Sequence, residues 1–191
     1  CIGAAFVDEL FHMKEEMIVA STVPASVTKT VGGVSRNIAH QLALLGVDVQ
    51  LISVFGSDSD GDWLKQSCIN AGVKVDASIT KEGLSRKYTA ILNPDAELFT
   101  AFLTNAATIL ITPQHLEKHR TLLQSASYLL VDANISAATG EWLLAFSNET
   151  KIPLILGPVS VPPARKFKDI DLSGLHLVTP KFLGRQIVDR S

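Results

Sequence analysis

The segment that decides the fold reads Val31-Gly32-Gly33-Val34-Ser35-Arg36-Asn37. Its paired glycines, Gly32 and Gly33, allow the backbone to approach a neighbouring group without a Cβ clash. A helix is predicted to follow, with Ser35 as its N-cap and its last turn at Leu45 before Gly46. The N-terminus of such a helix offers free N–H groups and a dipole that favours polar or anionic partners. The segment is neither GxGxxG nor a phosphate-binding loop with GK[ST], so the pattern alone leaves open a ligand-binding turn or a purely structural one.

Strands and helices alternate around this segment. Buried strands are predicted over 2–7, 49–55, 128–131, 153–156 and 175–178, and a half-buried strand over 73–80. Helices are predicted over 60–71, 113–124, 136–148 and 162–168. This alternation is typical of an α/β fold in which helices cover both faces of a parallel sheet.

Two further segments do not fit a parallel sheet. Residues 16–31 and 87–103 are rich in β-branched residues and alternate between apolar and polar, and the second contains a turn at Asn93-Pro94-Asp95. We therefore expect them to pair as a small antiparallel sheet outside the parallel one. Within a single domain over 1–191, the segments 12–31 and 85–104 would supply these lid strands.

The composition excludes several classes of protein. The chain has 191 residues, 47% of them apolar, and a formal net charge of -2 without a basic stripe, so no nucleic-acid partner is expected. The apolar runs are too short to cross a bilayer. Two cysteines without a CxxC pair, and no readable signal peptide, favour a reduced cytoplasmic protein. The His115–His119 pair lies among charged residues and is typical of a solvated helix face, so no metal site is predicted in the chain. We expect the numbered chain to begin inside a strand of a longer protein.

Polar residues that follow predicted strands are candidates for a binding site, because ligands of open α/β sheets bind at the carboxyl ends of the strands. Asp8 follows the first strand, where its carboxylate could accept hydrogen bonds from two sugar hydroxyls or simply cap a loop. Asn134 follows the strand over 128–131. Asn37 lies in the first turn of the helix after the glycines, where its amide can both donate and accept.

Several motifs occur together in one order and spacing. They are Gly32-Gly33-Val34-Ser35-Arg36-Asn37-Ile38-Ala39, then Leu42-Ala43-Leu44-Leu45-Gly46, then Gly56-Ser57-Asp58 with Gly61. Together they resemble the N-terminal signature of the PfkB (ribokinase-like) carbohydrate kinases. The form GGVxRNIA, with Arg36 before Asn37, is most similar to the pseudouridine kinases of that family, as are the segments 131–136 and 158–160.

The resemblance implies a ribokinase-like, Rossmann-type sheet covered by helices, with a small antiparallel β lid over the substrate. It implies that Asp8 holds sugar hydroxyls, that Gly32, Gly33 and Asn37 form the substrate cradle, and that Asn134 lies in the pocket. Lys87, with its neighbour Tyr88, would contact the base or sugar from the lid. The expected partner is a small-molecule nucleoside or sugar, and the lid could also form a homodimer. ATP and Mg²⁺ are expected for the complete enzyme, and neither is required by this chain.

The chain also departs from the family pattern. Phe6 stands where the family has asparagine, Gly157 stands where it has aspartate, and Lys181 and Gly184 replace an asparagine and a glutamate. The GAGD motif that supplies the family's anion hole and catalytic base is absent. We therefore expect the substrate-binding half of a kinase that phosphorylates a 5′-hydroxyl, with no catalytic residue in this chain and no activity by itself. The alternative is a non-catalytic PfkB-like binding or interaction protein.

Overall fold

The computed structural model describes residues 1–83, 85–104 and 107–179. The strands are β1 Phe6–Met13, β2 Ala25–Gly32, β3 Val54–Gly56, β4 Ile79–Lys81, β5 Lys87–Leu92, β6 Leu98–Leu103, β7 Leu129–Asp132, β8 Leu154–Gly157 and β9 Leu177–Val178. The helices are α1 Val34–Leu44, α2 Ser59–Asn70, α3 Pro113–Lys118, α4 Arg120–Gln124, α5 Ala137–Thr150 and α6 Val161–Ala164. Short 3₁₀ turns cover Ala107–Leu110 and Arg165–Phe167. No helix within these ranges is long and apolar enough to cross a membrane.

A parallel sheet runs through the centre of the molecule. β3 pairs with β4, and β7, β8 and β9 pair in that order, all in parallel. Ile2 joins the two parts because it bridges to Ile52 on one side and to Val131 on the other. The segment before β3 sends neighbouring side chains into different cores: Leu51 packs with the α1 and α2 side, and Ile52 with the α3 and α5 side. Helices therefore cover both faces, which confirms the predicted α/β fold.

A second sheet lies outside the parallel one, in the order β2-β1-β5-β6, and we call it the lid sheet. β1 pairs antiparallel with β2, and β5 antiparallel with β6. The predicted small sheet outside the parallel one is confirmed, but its two predicted segments do not pair with each other, because β1 lies between β2 and β5 and runs parallel to β5. The predicted first strand, 2–7, was misplaced for the same reason: the chain leaves the central sheet after Ile2 and pairs again from Phe6 to Met13, so Asp8 lies within a lid strand.

The helices differ in detail from the predictions, as three examples show. Gly33, rather than Ser35, is the N-cap of α1, because Ser35 is already helical and its hydroxyl donates to the Ile2 carbonyl at 2.8 Å. The predicted helix over 113–124 is interrupted at His119, whose backbone leaves helical geometry. Asp58 caps α2 by accepting from the Gly61 N–H at 2.9 Å.

An ion cluster joins the lid sheet to the first turn of α2. Asp60, only 8% exposed, pairs with Lys29 of β2 and with Lys87 of β5, the latter at 2.7 Å. Lys87 also pairs with Glu9 of β1 at 2.9 Å. Strand alternation places all three lid residues on one face of the sheet, toward α2. One carboxylate, directly and through Lys87, therefore links three lid strands to the α/β body.

We predict that Asp60→Asn lowers the free energy of unfolding by about 1–3 kcal/mol, because two charge-assisted contacts are lost. Amide exchange in β1 and β2 should accelerate as the lid sheet loosens. The matched control is Asp62→Asn, which removes an exposed charge from the same helical turn and should leave both measurements near wild type.

The pH dependence of the free energy of unfolding provides a second test of the ion cluster around Asp60. The Lys29 and Lys87 ammonium groups lower the pKa of Asp60 below its ordinary value. The contribution of Asp60 to the free energy of unfolding is therefore complete above the unfolded-state pKa of about 3.9. It disappears as the pH falls through the lower folded-state pKa. Urea titrations in which wild type and Asp60→Asn differ as much in strong acid as at neutral pH would contradict this assignment.

Candidate functional site

The candidate site is built around Asp132, at the carboxyl end of β7. The residue is 0% exposed, and its Oδ2 accepts from the Ala4 N–H at 2.8 Å and the Ser35 N–H at 3.0 Å. Its Oδ1 accepts from the backbone N–H and the Nδ2 of Asn134, both at 2.9 Å. Four N–H groups thus donate to one buried carboxylate. These hydrogen bonds connect β7 to the chain after Ile2 and to the N-terminus of α1.

The paired glycines are required for two different reasons. Gly33 has φ +106°, and a Cβ there would lie 2.2 Å from the Ala4 carbonyl oxygen. A side chain at this position would therefore prevent α1 from beginning beside residue 4. At Gly32, a Cβ would lie 2.2 Å from the Asp8 Oδ2. The Asp8 carboxylate occupies the space that the missing side chain leaves free.

Asp8 is partly buried, and this burial raises the pKa of its carboxyl. It lies on the same face of the lid sheet as Phe6 and Tyr88, whose ring centroids are 6.5 Å apart. Lys87 lies on the opposite face, where Asp60 and then Glu9 raise the pKa of its ammonium group. The structure therefore brings Asp8 to Gly32 and does not bring Lys87 to Asp8.

Asn37 and Asn134 occupy different surroundings. Asn37 is exposed in the first turn of α1, and its Oδ1 accepts from Arg36 Nη1 at 3.2 Å. Asn134 is partly buried and is linked to the start of α1 through Asp132. The predicted Asp8, Gly32 and Gly33 surround the entry to α1, Asn37 follows within its first turn, and Asn134 approaches it from β7.

Sequence reasoning missed Arg86, which precedes β5 and is only 7% exposed. Its guanidinium lies 5.6 Å from the centre of the Phe6 ring and donates weakly to Asn134 Oδ1 at 3.4 Å and Thr108 Oγ1 at 3.5 Å. Its Nε has no partner, and no carboxylate pairs with it within the described residues. Burial lowers the pKa of Arg86, and the nearby Asp132 opposes that effect. Nothing in the local sequence separates this arginine from a surface one.

Comparison with known proteins identifies the family. The model of the pfkB family carbohydrate kinases matches residues 1–179. The chain belongs to this family. The resemblance drawn from the glycine segment is thereby confirmed.

The PfkB relatives are longer than this chain. It is 38% identical over 158 residues to the uncharacterized sugar kinase YeiI of Escherichia coli (strain K12), covering 82% of this chain and 43% of that protein. It is 32% identical over 183 residues to the pseudouridine kinase of the same organism, covering 95% of this chain and 58% of that protein. The solved structure of a carbohydrate kinase from Agrobacterium tumefaciens superposes with a TM-score of 0.80 at 26% identity, over 93% of this chain and 58% of that one. The chain thus spans about half the length of the curated relatives it matches.

The positions that the PfkB family uses for the metal and the phosphates carry other residues in this chain. At Gly157 a Cβ would make only ordinary contacts, the nearest being the Val131 carbonyl oxygen at 3.7 Å, so the fold itself does not exclude a side chain there. Lys181 and Gly184 lie outside the described residues. Within the described ranges no group of three His, Cys, Asp or Glu side chains could hold a metal ion. The described residues therefore form no cage of side chains for a metal ion.

We predict that Asp132→Asn destabilises the PfkB domain by about 2–3 kcal/mol, because an amide NH₂ would face backbone N–H donors in a dry site. Equilibrium urea unfolding measures the loss. The matched control, Asp76→Asn, makes the same change at an exposed position and should stay within about 0.5 kcal/mol of wild type. Equal stability of the two variants would show that Asp132 does not organise the site.

Proposed function

We propose that this chain is the substrate-binding half of an ATP-dependent kinase that phosphorylates the 5′-hydroxyl of a nucleoside or sugar, with pseudouridine as the first candidate. The observation that carries the proposal is the Asp8 carboxylate lying over Gly32 beside the α1 N-terminus that Asp132 anchors. Membership of the PfkB family and the 32% identity to a pseudouridine kinase support it.

The proposed roles follow from chemistry and placement. Asp8 accepts hydrogen bonds from neighbouring ribose hydroxyls, as an ionised carboxylate can accept several. The glycine backbone and the exposed Asn37 amide complete the cradle at the α1 N-terminus, and Asn134 borders it through Asp132. Contact of Lys87 with the base or sugar stays a prediction, because its ammonium group would first have to leave Asp60 and Glu9.

A nucleoside is preferred over a free sugar because of the groups beside Asp8. Phe6 and Tyr88 present aromatic rings on that face, and such rings stack favourably on planar bases. Arg86 supplies a buried N–H donor without a partner, which could bind a carbonyl oxygen of a base. A free sugar offers no planar group to these side chains.

The proposal assigns the phosphate chemistry to residues outside this 191-residue sequence. In the family, the catalytic base and the anion hole belong to the GAGD motif that this sequence lacks. ATP and Mg²⁺ therefore belong to the proposal for the complete enzyme, in which this half binds and orients the phosphate acceptor.

The lid sheet also offers a surface for a second copy of the chain. Its edge strand β6 exposes Leu98, Phe99, Phe102 and Leu103. An exposed apolar edge strand is a natural pairing surface, and a homodimer through the lid would cover it.

The second candidate is a binding protein that kept the fold and lost the chemistry. Gly157 favours it, because the backbone there has room for a Cβ and yet the family's aspartate is absent. Lys181 and Gly184 favour it in the same way, since neither residue is the one that the family has there. Turnover by the full-length gene product separates the two candidates.

We predict that Asp8→Asn in the full-length gene product weakens pseudouridine binding about tenfold or more, because a charged acceptor contributes roughly 1.5–3 kcal/mol. Isothermal titration calorimetry measures the change. Binding by wild type should also weaken as the pH falls through the raised pKa of Asp8, above the ordinary aspartate value of about 3.9, and the variant should lack this dependence.

The control is Glu97→Gln, which removes an exposed carboxylate from the lid hairpin and should bind as wild type does. If Asp8→Asn keeps both the affinity and the pH profile of wild type, Asp8 does not contact the ligand.

We further predict that the 191-residue chain has no turnover by itself. Phosphoryl transfer depends on positioning and electrostatic stabilisation, and removal of a single transition-state donor costs roughly 10²–10³-fold. A coupled ADP-release assay with pseudouridine, uridine and ribose should therefore detect activity only in the full-length gene product. Substrate-dependent turnover by the short chain at a comparable rate would place the phosphate-handling groups within these residues.

A further inference from the structure

We propose that a cleft between α1 and α2 is a second ligand site, one that binds a small organic anion with an aromatic or apolar part. The cleft has a volume of about 420 Å³. Its polar wall includes His40 and Ser67, and its apolar wall includes Leu44 and Trp63. None of these four residues belongs to the candidate substrate site.

A buried positive charge lies behind the polar wall. Arg36 is only 5% exposed, and its Nη2 contacts the Ser67 Oγ at 2.8 Å and the His40 Nδ1 at 3.1 Å. Its Nε has no hydrogen-bond partner, and no carboxylate pairs with it within the described residues. An uncompensated buried charge is costly, and a bound anion near it would reduce that cost.

The groups between this charge and the cleft are hydrogen-bond donors. Arg36 donates to the His40 Nδ1, so the neutral ring carries its proton on Nε2. Burial, and then Arg36, lowers the pKa of His40, which keeps the ring neutral at physiological pH. The Ser67 Oγ accepts from Arg36, and its own proton can therefore point to a ligand. Two donors in front of a guanidinium favour a carboxylate or a phosphate ester over a cation or a neutral molecule.

The apolar wall of the cleft, with Leu44 and Trp63, favours a ligand that carries an apolar group beside its anionic head. Trp63 is 40% exposed, although an indole is among the most strongly buried side chains on average. Leu44 is exposed beside it. A ring or short alkyl group attached to the anionic head would cover these two surfaces.

The cleft lies away from the candidate substrate site. Its α1 wall, with His40 and Leu44, belongs to the second half of that helix, whereas Asp132 contacts α1 at its beginning, through Ser35. Its other wall belongs to α2, which packs against β3. Substitutions at Ser67 and Trp63 therefore test this site without removing any group assigned to the substrate site, whereas Arg36→Gln also removes the donor to the Asn37 Oδ1.

The test uses isothermal titration calorimetry on the full-length gene product without nucleotide or sugar. The probes are benzoate, phenyl phosphate, inorganic phosphate and the neutral benzamide. Benzoate or phenyl phosphate should bind, inorganic phosphate should bind more weakly, and benzamide should not bind. Ser67→Ala and Trp63→Leu should each weaken binding about five- to tenfold, because each removes a contact of about 1 kcal/mol. Arg36→Gln should abolish it.

The charge-matched control is Arg120→Gln, which removes an arginine paired with Glu117 and Glu149 on a distant helix and should leave binding unchanged. Ser67→Ala is a small change at a partly buried position, so it tests the site even if Arg36→Gln fails to fold. Three results would overturn the proposal: no probe binds with a Kd below about 10 mM, benzamide binds as well as benzoate, or Ser67→Ala and Trp63→Leu keep wild-type affinity. In each case Arg36 would serve only to pack α1 against α2.

Discussion

The buried carboxylate of Asp132 is the constraint on which the rest of the structure depends. It accepts four hydrogen bonds from three chain segments that are far apart in sequence, around Ala4, Ser35 and Asn134. A carboxylate without exposure must have such partners, because an unpaired buried charge is strongly destabilising. The satisfied carboxylate therefore sets where α1 begins relative to the sheet, and with it where the glycine segment meets Asp8.

The lid sheet uses its two faces for different purposes. One face carries Asp8 and the aromatic rings beside it, next to the entry of α1. The other carries Lys29 and Lys87, which pair with the Asp60 carboxylate of α2, and Glu9, which pairs with Lys87. Because strand side chains alternate between faces, a single pair of neighbouring strands can support both a ligand surface and an attachment to the body of the protein.

Two buried arginines have opposite relations to the candidate substrate site. Arg86 lies within it, beside the Phe6 ring and Asn134. Arg36 instead contacts His40 and Ser67 through its Nη2, and reaches the site only through Asn37, to which its Nη1 donates. Neither pairs with a carboxylate within the described residues, and each has an Nε without a partner. Proteins rarely leave such groups unsatisfied, so each arginine places an incompletely paired positive charge beside a proposed ligand site.

The sequence by itself determined the α/β class, the helix after the glycines and the resemblance to the PfkB family, because periodicity, helix signals and motif spacing are local properties. The tertiary structure alone decided that Asp8 lies in a lid strand, that Lys87 points to the opposite face and that Arg86 is buried. These facts depend on which strands become neighbours and on their register, and a shift of one residue would turn every side chain to the other face. Pairing between distant segments, such as Val7 with Lys87, has no signature in either segment alone.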